Sequence, residues 1–281
     1  MYRTMDMDIM TTVELNHGGP MPLFGLGTFR SPEGQPTRDA VRAALDAGYR
    51  HIDTAAIYGN ETDVGAAVRE HDVPREDIFI TTKLAQSDHG YETALREFKA
   101  SLERLGLEYV DLYLVHWPGG GPRNESWRAL EVIREEGRAR AIGVSNYTVA
   151  HLREVLQKGD AVPAVNQFEL HPFNYASRKP IVDFCREHDV VVEGYSPLTK
   201  ARRLDDPTVR VVAEQHGRTS AQVLIRWALQ HRIVTIPKSA SPDRIRENAG
   251  VFDFELSAEE MDRLDGLDED FTTSWDPRTV D

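Results

Sequence analysis

Between residues 11 and 270, short runs of consecutive apolar residues alternate with longer stretches in which apolar positions recur every three or four residues. The runs at 23–27, 51–54, 78–83, 110–116, 141–145, 164–168, 190–195 and 233–236 predict eight strands, too continuous for either face to be solvated. The periodic stretches at 36–47, 62–70, 91–105, 124–136, 149–157, 178–187, 207–216, 219–230 and 242–248 predict amphipathic helices. Gly48, Gly106 and Gly137 stand where three of these stop. Ser257-Ala-Glu-Glu260 reads as a capping box that opens one more, C-terminal helix. Residues 11–20 suit a small hairpin cap, and 1–10 a loose tail. Eight buried strands alternating with helices in ~250 residues is the arithmetic of a closed (β/α)8 TIM barrel. The expectation is therefore a single α/β domain over 11–270, with an N-terminal hairpin and an extra C-terminal helix.

Each predicted strand is apolar inside and polar at its C-terminal end. Asp53, Lys83, His116, Ser145-Asn146, Gln167, Tyr195-Ser196 and Lys238-Ser239 all fall at that pole, where barrels of this kind build their sites. Tyr58 follows Asp53 by one short loop. A phenol has a pKa near ~10, and a neighbouring ammonium favours its ionised form. Lys83 is placed to supply that charge, Asp53 to hold Lys83, and His116 to orient a carbonyl or assist proton transfer. Each residue also has a plainer reading. Asp53 and Lys83 suit a structural ion pair, His116 an interior imidazole, and Tyr58 a packed aromatic. Singly the plainer readings are better; four such groups at one pole favour function.

Basic residues follow the seventh and eighth strands, in Lys200-Ala-Arg-Arg203 and Pro237-Lys-Ser-Ala-Ser-Pro-Asp-Arg244. Those loops are the usual phosphate site of the fold, and Ser241 is placed to cap a helix whose free N–H groups suit an anion. Solvated rim charges are the alternative. Gly25-Leu-Gly27 lacks the third glycine of a Rossmann fingerprint, and Gly119-Gly-Gly-Pro122 reads as a flexible loop. A dinucleotide would thus lie extended across the barrel mouth.

Composition narrows the partners. The 281 residues carry a net charge of −13, which argues against nucleic acid or an anionic membrane. Six lysines stand against 27 arginines and 46 acidic residues, a bias that fits high-salt adaptation or codon usage equally. No apolar run is long enough to span a bilayer, and the first ten residues contain no signal core. A lone cysteine, Cys185, rules out an intrachain disulfide and fits a reducing, cytoplasmic setting. Its helical pattern reads as a buried, inert thiol.

The stretch 48–61, Leu112-Tyr-Leu-Val-His-Trp-Pro118, Ile142-Gly-Val-Ser-Asn146, Asn166-Gln-Phe-Glu-Leu-His-Pro172 and the stretch 236–248 resemble the aldo-keto reductases. The resemblance runs over 13–268 and is strongest to the microbial branch that includes the 2,5-diketo-gluconic acid reductases. It implies a metal-free, monomeric, NADPH-dependent reductase of small carbonyl compounds, keto-sugar acids among them. Tyr58 would protonate the carbonyl oxygen, Lys83 and Asp53 would tune it, and His116 would orient the substrate. The resemblance puts Ser145, Asn146 and Gln167 on the nicotinamide carboxamide, Tyr195 against its ring and Thr28 at its ribose. It puts Ser196 and Leu198 along the pyrophosphate, Lys238, Ser239 and Arg244 on the 2′-phosphate, and Glu247 and Asn248 at the adenine. Phe29 and Trp117 would join Tyr58 and His116 in the substrate pocket. Two positions depart from the family pattern. Ala85 replaces a common Trp, which would widen the pocket, and Phe29 replaces another. The tail beyond Leu267, which sets much of the family's selectivity, is short.

Two other functions compete. A metal-dependent hydrolase would draw on His51, Asp53, His116 and His171, though strand 1 lacks the paired histidines such barrels use. A non-catalytic NADPH-binding redox sensor would have no need of all four of Tyr58, Lys83, Asp53 and His116.

Overall fold

The computed structural model describes residues 7–119 and 121–279. Residues 1–6 of the expected tail lie outside the described residues, as does Gly120 of the expected glycine loop. Met7 and Ile9 pack against the core.

Eight strands run parallel in sequence order: β3 (Leu26–Gly27), β4 (His51–Asp53), β5 (Phe79–Leu84), β6 (Val110–Val115), β7 (Ala139–Ser145), β8 (Val165–Glu169), β9 (Val191–Tyr195) and β10 (Val234–Thr235). Parallel bridges Phe24↔Thr235 and Gly27↔Lys238 join the first strand to the last, with Gly25 N donating to Thr235 O at 3.0 Å. The sheet thereby closes on itself. At this seam a Cβ on Gly27 would stand 2.8 Å from Ile236 O, so the close approach requires glycine. The seam is held by single bridges and not by a full ladder, which is why β3 and β10 are shorter than the apolar runs at 23–27 and 233–236.

Helices cover the barrel: α1 (Gln35–Asp46), α2 (Glu61–Arg69), α3 (Tyr91–Leu105), α4 (Arg123–Glu135), α5 (Val149–Lys158), α6 (Tyr175–Glu187), α7 (Pro207–His216), α8 (Ser220–Gln230), α9 (Pro242–Ala249) and α10 (Ala258–Asp265). Their ends obey local chemistry. Gly106 stops α3 in the left-handed region at φ 63°, and the Ser257/Glu260 capping box opens α10. One start differs from expectation. α6 begins at Tyr175, not 178, because Asp268 accepts from Ser177 N at 2.8 Å and Ser177 Oγ at 2.6 Å. A carboxylate from the C-terminal segment thus satisfies the first turn.

β1 (Thr12–Glu14) and β2 (Pro20–Pro22) form the expected antiparallel hairpin. Asn16 between them donates to Pro163 O and Asp189 O at 3.1 and 3.0 Å, just ahead of β8 and β9. The hairpin therefore caps the N-terminal pole and leaves the C-terminal pole open.

Candidate active site

Asp53 ends β4, and a single 3₁₀ turn over residues 56–58 carries Tyr58 back above it. The turn is pinned from below. Thr28 Oγ1 donates to Asp53 O (2.9 Å), Asn60 Nδ2 to Thr28 O (2.9 Å), and Thr54 Oγ1 to Asn60 Oδ1 (2.8 Å). Lys83 near the end of β5 is wholly buried. Its Nζ donates to both Asp53 carboxylate oxygens at 2.7 Å and to Thr54 O at 2.8 Å. It also lies 5.1 Å from the centre of the Tyr58 ring. His116, one residue past β6, meets that ring edge-on at 5.6 Å.

The electrostatics depart from expectation at Tyr58. Lys83 does not make this phenol acidic. Burial first, then the charges of Asp53 and Glu193, raise it well above the ordinary phenol value. His116 moves the other way. Burial, then Lys83, holds it well below the ordinary imidazole value, so it is neutral at physiological pH and its Nδ1 has no hydrogen-bond partner among the described residues.

A set of amides completes the wall. Asn146, at φ 64°, donates from Nδ2 to Ser145 Oγ and His116 O, both at 3.0 Å. Tyr195 Oη donates to Asn146 Oδ1 at 2.9 Å, and Ser145 Oγ to Gln167 O at 2.8 Å. Gln167 Nε2 donates to Asp53 Oδ2 (2.8 Å) and Glu193 Oε2 (2.9 Å). The sequence reading passed over Glu193. Its signal was a lone acid inside the apolar run of β9.

These residues surround a cavity of about 400 Å³ at the C-terminal pole. Of the sequence-predicted site residues, Phe29, Asp53, Tyr58, His116, Trp117, Asn146, Gln167, Tyr195, Ser196, Leu198 and Lys238 line it, as does Lys200 of the expected phosphate loop; so do Arg30, Ile57 and Ser274, which the sequence did not single out. Thr28, Lys83 and Ser145 sit behind the wall, each fully buried. Ser239, Arg244, Glu247 and Asn248 lie further out, beyond β10 and on α9. The Ser239 hydroxyl accepts from Ser241 N at 3.1 Å, and Ser241 caps α9 as expected. Arg244 is exposed, and no carboxylate pairs with it among the described residues; its neighbour Arg246 is tied to Asp243 at 2.8 Å. Asn248 is buried. Ala85 is buried and is not among the residues that line the cavity. The C-terminal segment instead brings Ser274 to the cavity and Trp275 to within 6.1 Å of Trp117.

The donor set fits a nicotinamide dinucleotide. Amides stand beside the phenol, and Lys238 and Arg244, with no carboxylate partner among the described residues, lie along the rim toward the N-terminus of α9. A metal centre has less support. His51 is committed to Thr81 Oγ1 (3.1 Å) and His171 to Glu169 (3.3 Å), and no three His, Cys, Asp or Glu side chains converge among the described residues. Cys185 is buried in α6, its thiol pushed up to about 12 by burial.

A closed parallel barrel with its polar groups gathered at the C-terminal rim has the architecture of a (β/α)8-barrel enzyme. The profile of the Aldo/keto reductase family matches residues 23–269, and the protein belongs to that family. It is 48% identical over 266 residues to the glyoxal reductase of Bacillus subtilis (strain 168), covering 95% of this chain and 96% of that one. It is 47% identical over 268 residues to the 9,11-endoperoxide prostaglandin H2 reductase of Trypanosoma cruzi (strain CL Brener), covering 94% of each. An aldo-keto reductase from a Medee basin deep-sea metagenome library superposes with a TM-score of 0.90 at 42% identity, covering 96% of this chain and 99% of that one. The protein is thus an oxidoreductase of the aldo-keto reductase family, and among the described residues no helix is long and apolar enough to cross a membrane.

Proposed function

We propose that the protein reduces a small aldehyde, ketone or dicarbonyl to the alcohol with NADPH, Tyr58 giving the proton. One juxtaposition carries this reading: Tyr58 and His116 face a single cavity underlain by the Asp53–Lys83 pair. Bound NADPH supplies the hydride. His116, held neutral, orients the carbonyl oxygen toward Tyr58 without competing as an acid. Tyr58 Oη releases its proton as charge grows on that oxygen, and Lys83 beneath the ring stabilises the phenolate left behind. Phe29, Ile57 and Trp117 narrow the mouth and keep water from the reacting atoms. Small dicarbonyls are the favoured substrates, with keto-sugar acids next; the relation to a glyoxal reductase supports the first group. We place the protein in the cytoplasm as a monomer, with Ser145, Asn146, Gln167 and Tyr195 holding the nicotinamide and Lys238, Ser239 and Arg244 the 2′-phosphate.

The test is NADPH consumption across a panel of glyoxal, methylglyoxal, aromatic aldehydes and keto-sugar acids. Tyr58→Phe is expected to lower kcat by roughly 10²–10⁴-fold while the NADPH dissociation constant stays within about twofold. No oxidation with any carbonyl sinks the reading. Loss of NADPH binding in Tyr58→Phe makes Tyr58 a structural residue.

A further inference from the structure

Glu193 is wholly buried inside the barrel on β9. β8 and β9 pair Gln167 with Glu193 across the ladder, so the two side chains enter the interior side by side. Gln167 Nε2 donates to Asp53 Oδ2 and to Glu193 Oε2. An amide nitrogen carries two hydrogens, and both are committed inward. Turning the amide over would set its oxygen against the Asp53 carboxylate, which has only acceptors to offer. Gln167 Oε1 must therefore face the cavity that Gln167 lines.

We infer that Glu193 is a positioning residue that locks the Gln167 amide so that it presents a hydrogen-bond acceptor to the cavity. This rests on the NADPH reading, in which the acceptor meets the carboxamide N–H of the nicotinamide. Asp53 alone would occupy one of the two hydrogens and leave the amide free to swing.

The protonation of the cluster fits the same role. Asp53 has Lys83 on both oxygens, whereas Glu193 has no cation at hydrogen-bond distance among the described residues. Burial, with the Asp53 charge added, pushes the Glu193 carboxyl well above the usual glutamate range against the opposing pull of Gln167 and Lys83. The proton belongs on Oε1, which has no hydrogen-bond partner among the described residues and stands 3.7 Å from His51 Nε2. The ionisable groups around Glu193 are His51 and Asp53 from β4, Lys83 from β5 and Tyr58 from the turn above. β8 offers the Gln167 amide, and β10 places Val234 in register. His51 is neutral, brought down to about 3 by burial and then by Lys83. Near pH 7 the cluster holds one carboxylate against one ammonium. At alkaline pH a second carboxylate appears with no cation of its own among the described residues, and it makes Tyr58 a poorer proton donor.

The test compares Glu193→Leu, which removes the acceptor, with Glu193→Gln, which copies the neutral acid. NADPH affinity is read by fluorescence titration, Tm of the free protein from pH 6 to 9, and kcat over the same range. In Glu193→Leu the NADPH dissociation constant is expected to rise about tenfold at pH 7, and Glu193→Gln to recover most of that loss. The folded-state pKa is raised, so wild-type stability is lost as pH climbs from the ordinary glutamate value through the raised folded one; this decline in Tm, and the decline in kcat, should be absent from Glu193→Gln. A leucine variant that binds NADPH as tightly as wild type overturns the inference, as does a glutamine variant that keeps both alkaline declines. A wild type that binds no NADPH at any pH overturns instead the reading on which the inference rests.

Discussion

Tyr58 holds its proton more tightly than a free phenol, and for reduction that is the useful form. On the proposed reading the donor stays loaded across physiological pH, and the difficulty moves to the moment when the proton leaves. Lys83 matters at that moment, since it lies under the ring and is itself fixed by Asp53. Lys83→Met should therefore do two kinds of damage. It strands the Asp53 carboxylate in the barrel, and removing one partner of a buried pair costs about 3–5 kcal/mol, a fall in Tm on the order of 10 °C for a domain of this size. It also removes the charge that stabilises the phenolate. Asp53→Asn combined with Lys83→Met removes both charges and should recover much of the stability without recovering turnover. Calorimetry and steady-state rates separate the two effects. If Lys83→Met melts within a degree or two of wild type, the pair contributes nothing to holding the barrel, and its case as a rigid platform for Tyr58 fails with it.

The C-terminal segment reaches the cavity mouth through Ser274, and the Glu169 carboxylate is its chief anchor beside the mouth. Glu169, at the end of β8, accepts from Thr273 N (2.8 Å), Thr273 Oγ1 (2.6 Å) and Ser274 N (2.9 Å). Lys200 Nζ, in the loop after β9, donates to Thr273 O at 2.8 Å. Burial alone would raise the Glu169 carboxyl, but hydrogen bonds from His171 and Thr273 bring it below the usual glutamate range. A depressed carboxyl stabilises the fold above its unfolded pKa and loses that contribution as pH falls through the folded one. Acid should thus release the segment to proteolysis at a pH where the barrel still stands. Glu169→Ala should release it at neutral pH, raising KM for carbonyl substrates about tenfold and leaving the NADPH dissociation constant within about twofold, since hydrogen bonds to a charged group are worth ~1.5–3 kcal/mol. An unchanged KM would show that the segment does not shape the pocket. The same contacts mark where sequence reading ends. Eight strands and their polar tips were legible because apolar periodicity is a local property. The Glu169–Thr273 contact joins residues 104 apart and the Asp268–Ser177 contact residues 91 apart, and no local pattern announces either. Glu193 lies between these cases, since an acid inside a continuous apolar strand is visible in the sequence but only the ladder to Gln167 explains it.

The whole molecule carries a charge of −13, and the proposed cofactor is itself strongly anionic. Binding therefore works against the overall field unless cations are concentrated where the phosphates go. Lys200, Arg202, Arg203 and Lys238 follow β9 and β10, and Arg244 stands on the first turn of α9 behind the Ser241 cap. Many arginines of this acidic chain are paired with carboxylates, among them Arg203 with Glu269, Arg246 with Asp243 and Arg218 with Asp253. Arg244 is exposed, with neither such a carboxylate nor a side-chain hydrogen bond among the described residues, so its removal should change Tm little. Charge-assisted hydrogen bonds to a phosphate are the strong kind, and losing them should raise the NADPH dissociation constant of Arg244→Ala by about ten- to a hundredfold. NADH lacks the 2′-phosphate and should bind the variant within about twofold of wild type. Salt sharpens the comparison, because exposed charges are screened within ~8–10 Å at moderate ionic strength. NADPH affinity of the wild type should fall as salt rises, and the fall should be shallower in Arg244→Ala. An equal loss of NADPH and NADH binding would remove the case for 2′-phosphate recognition at this rim and move the phosphate contacts elsewhere along the mouth.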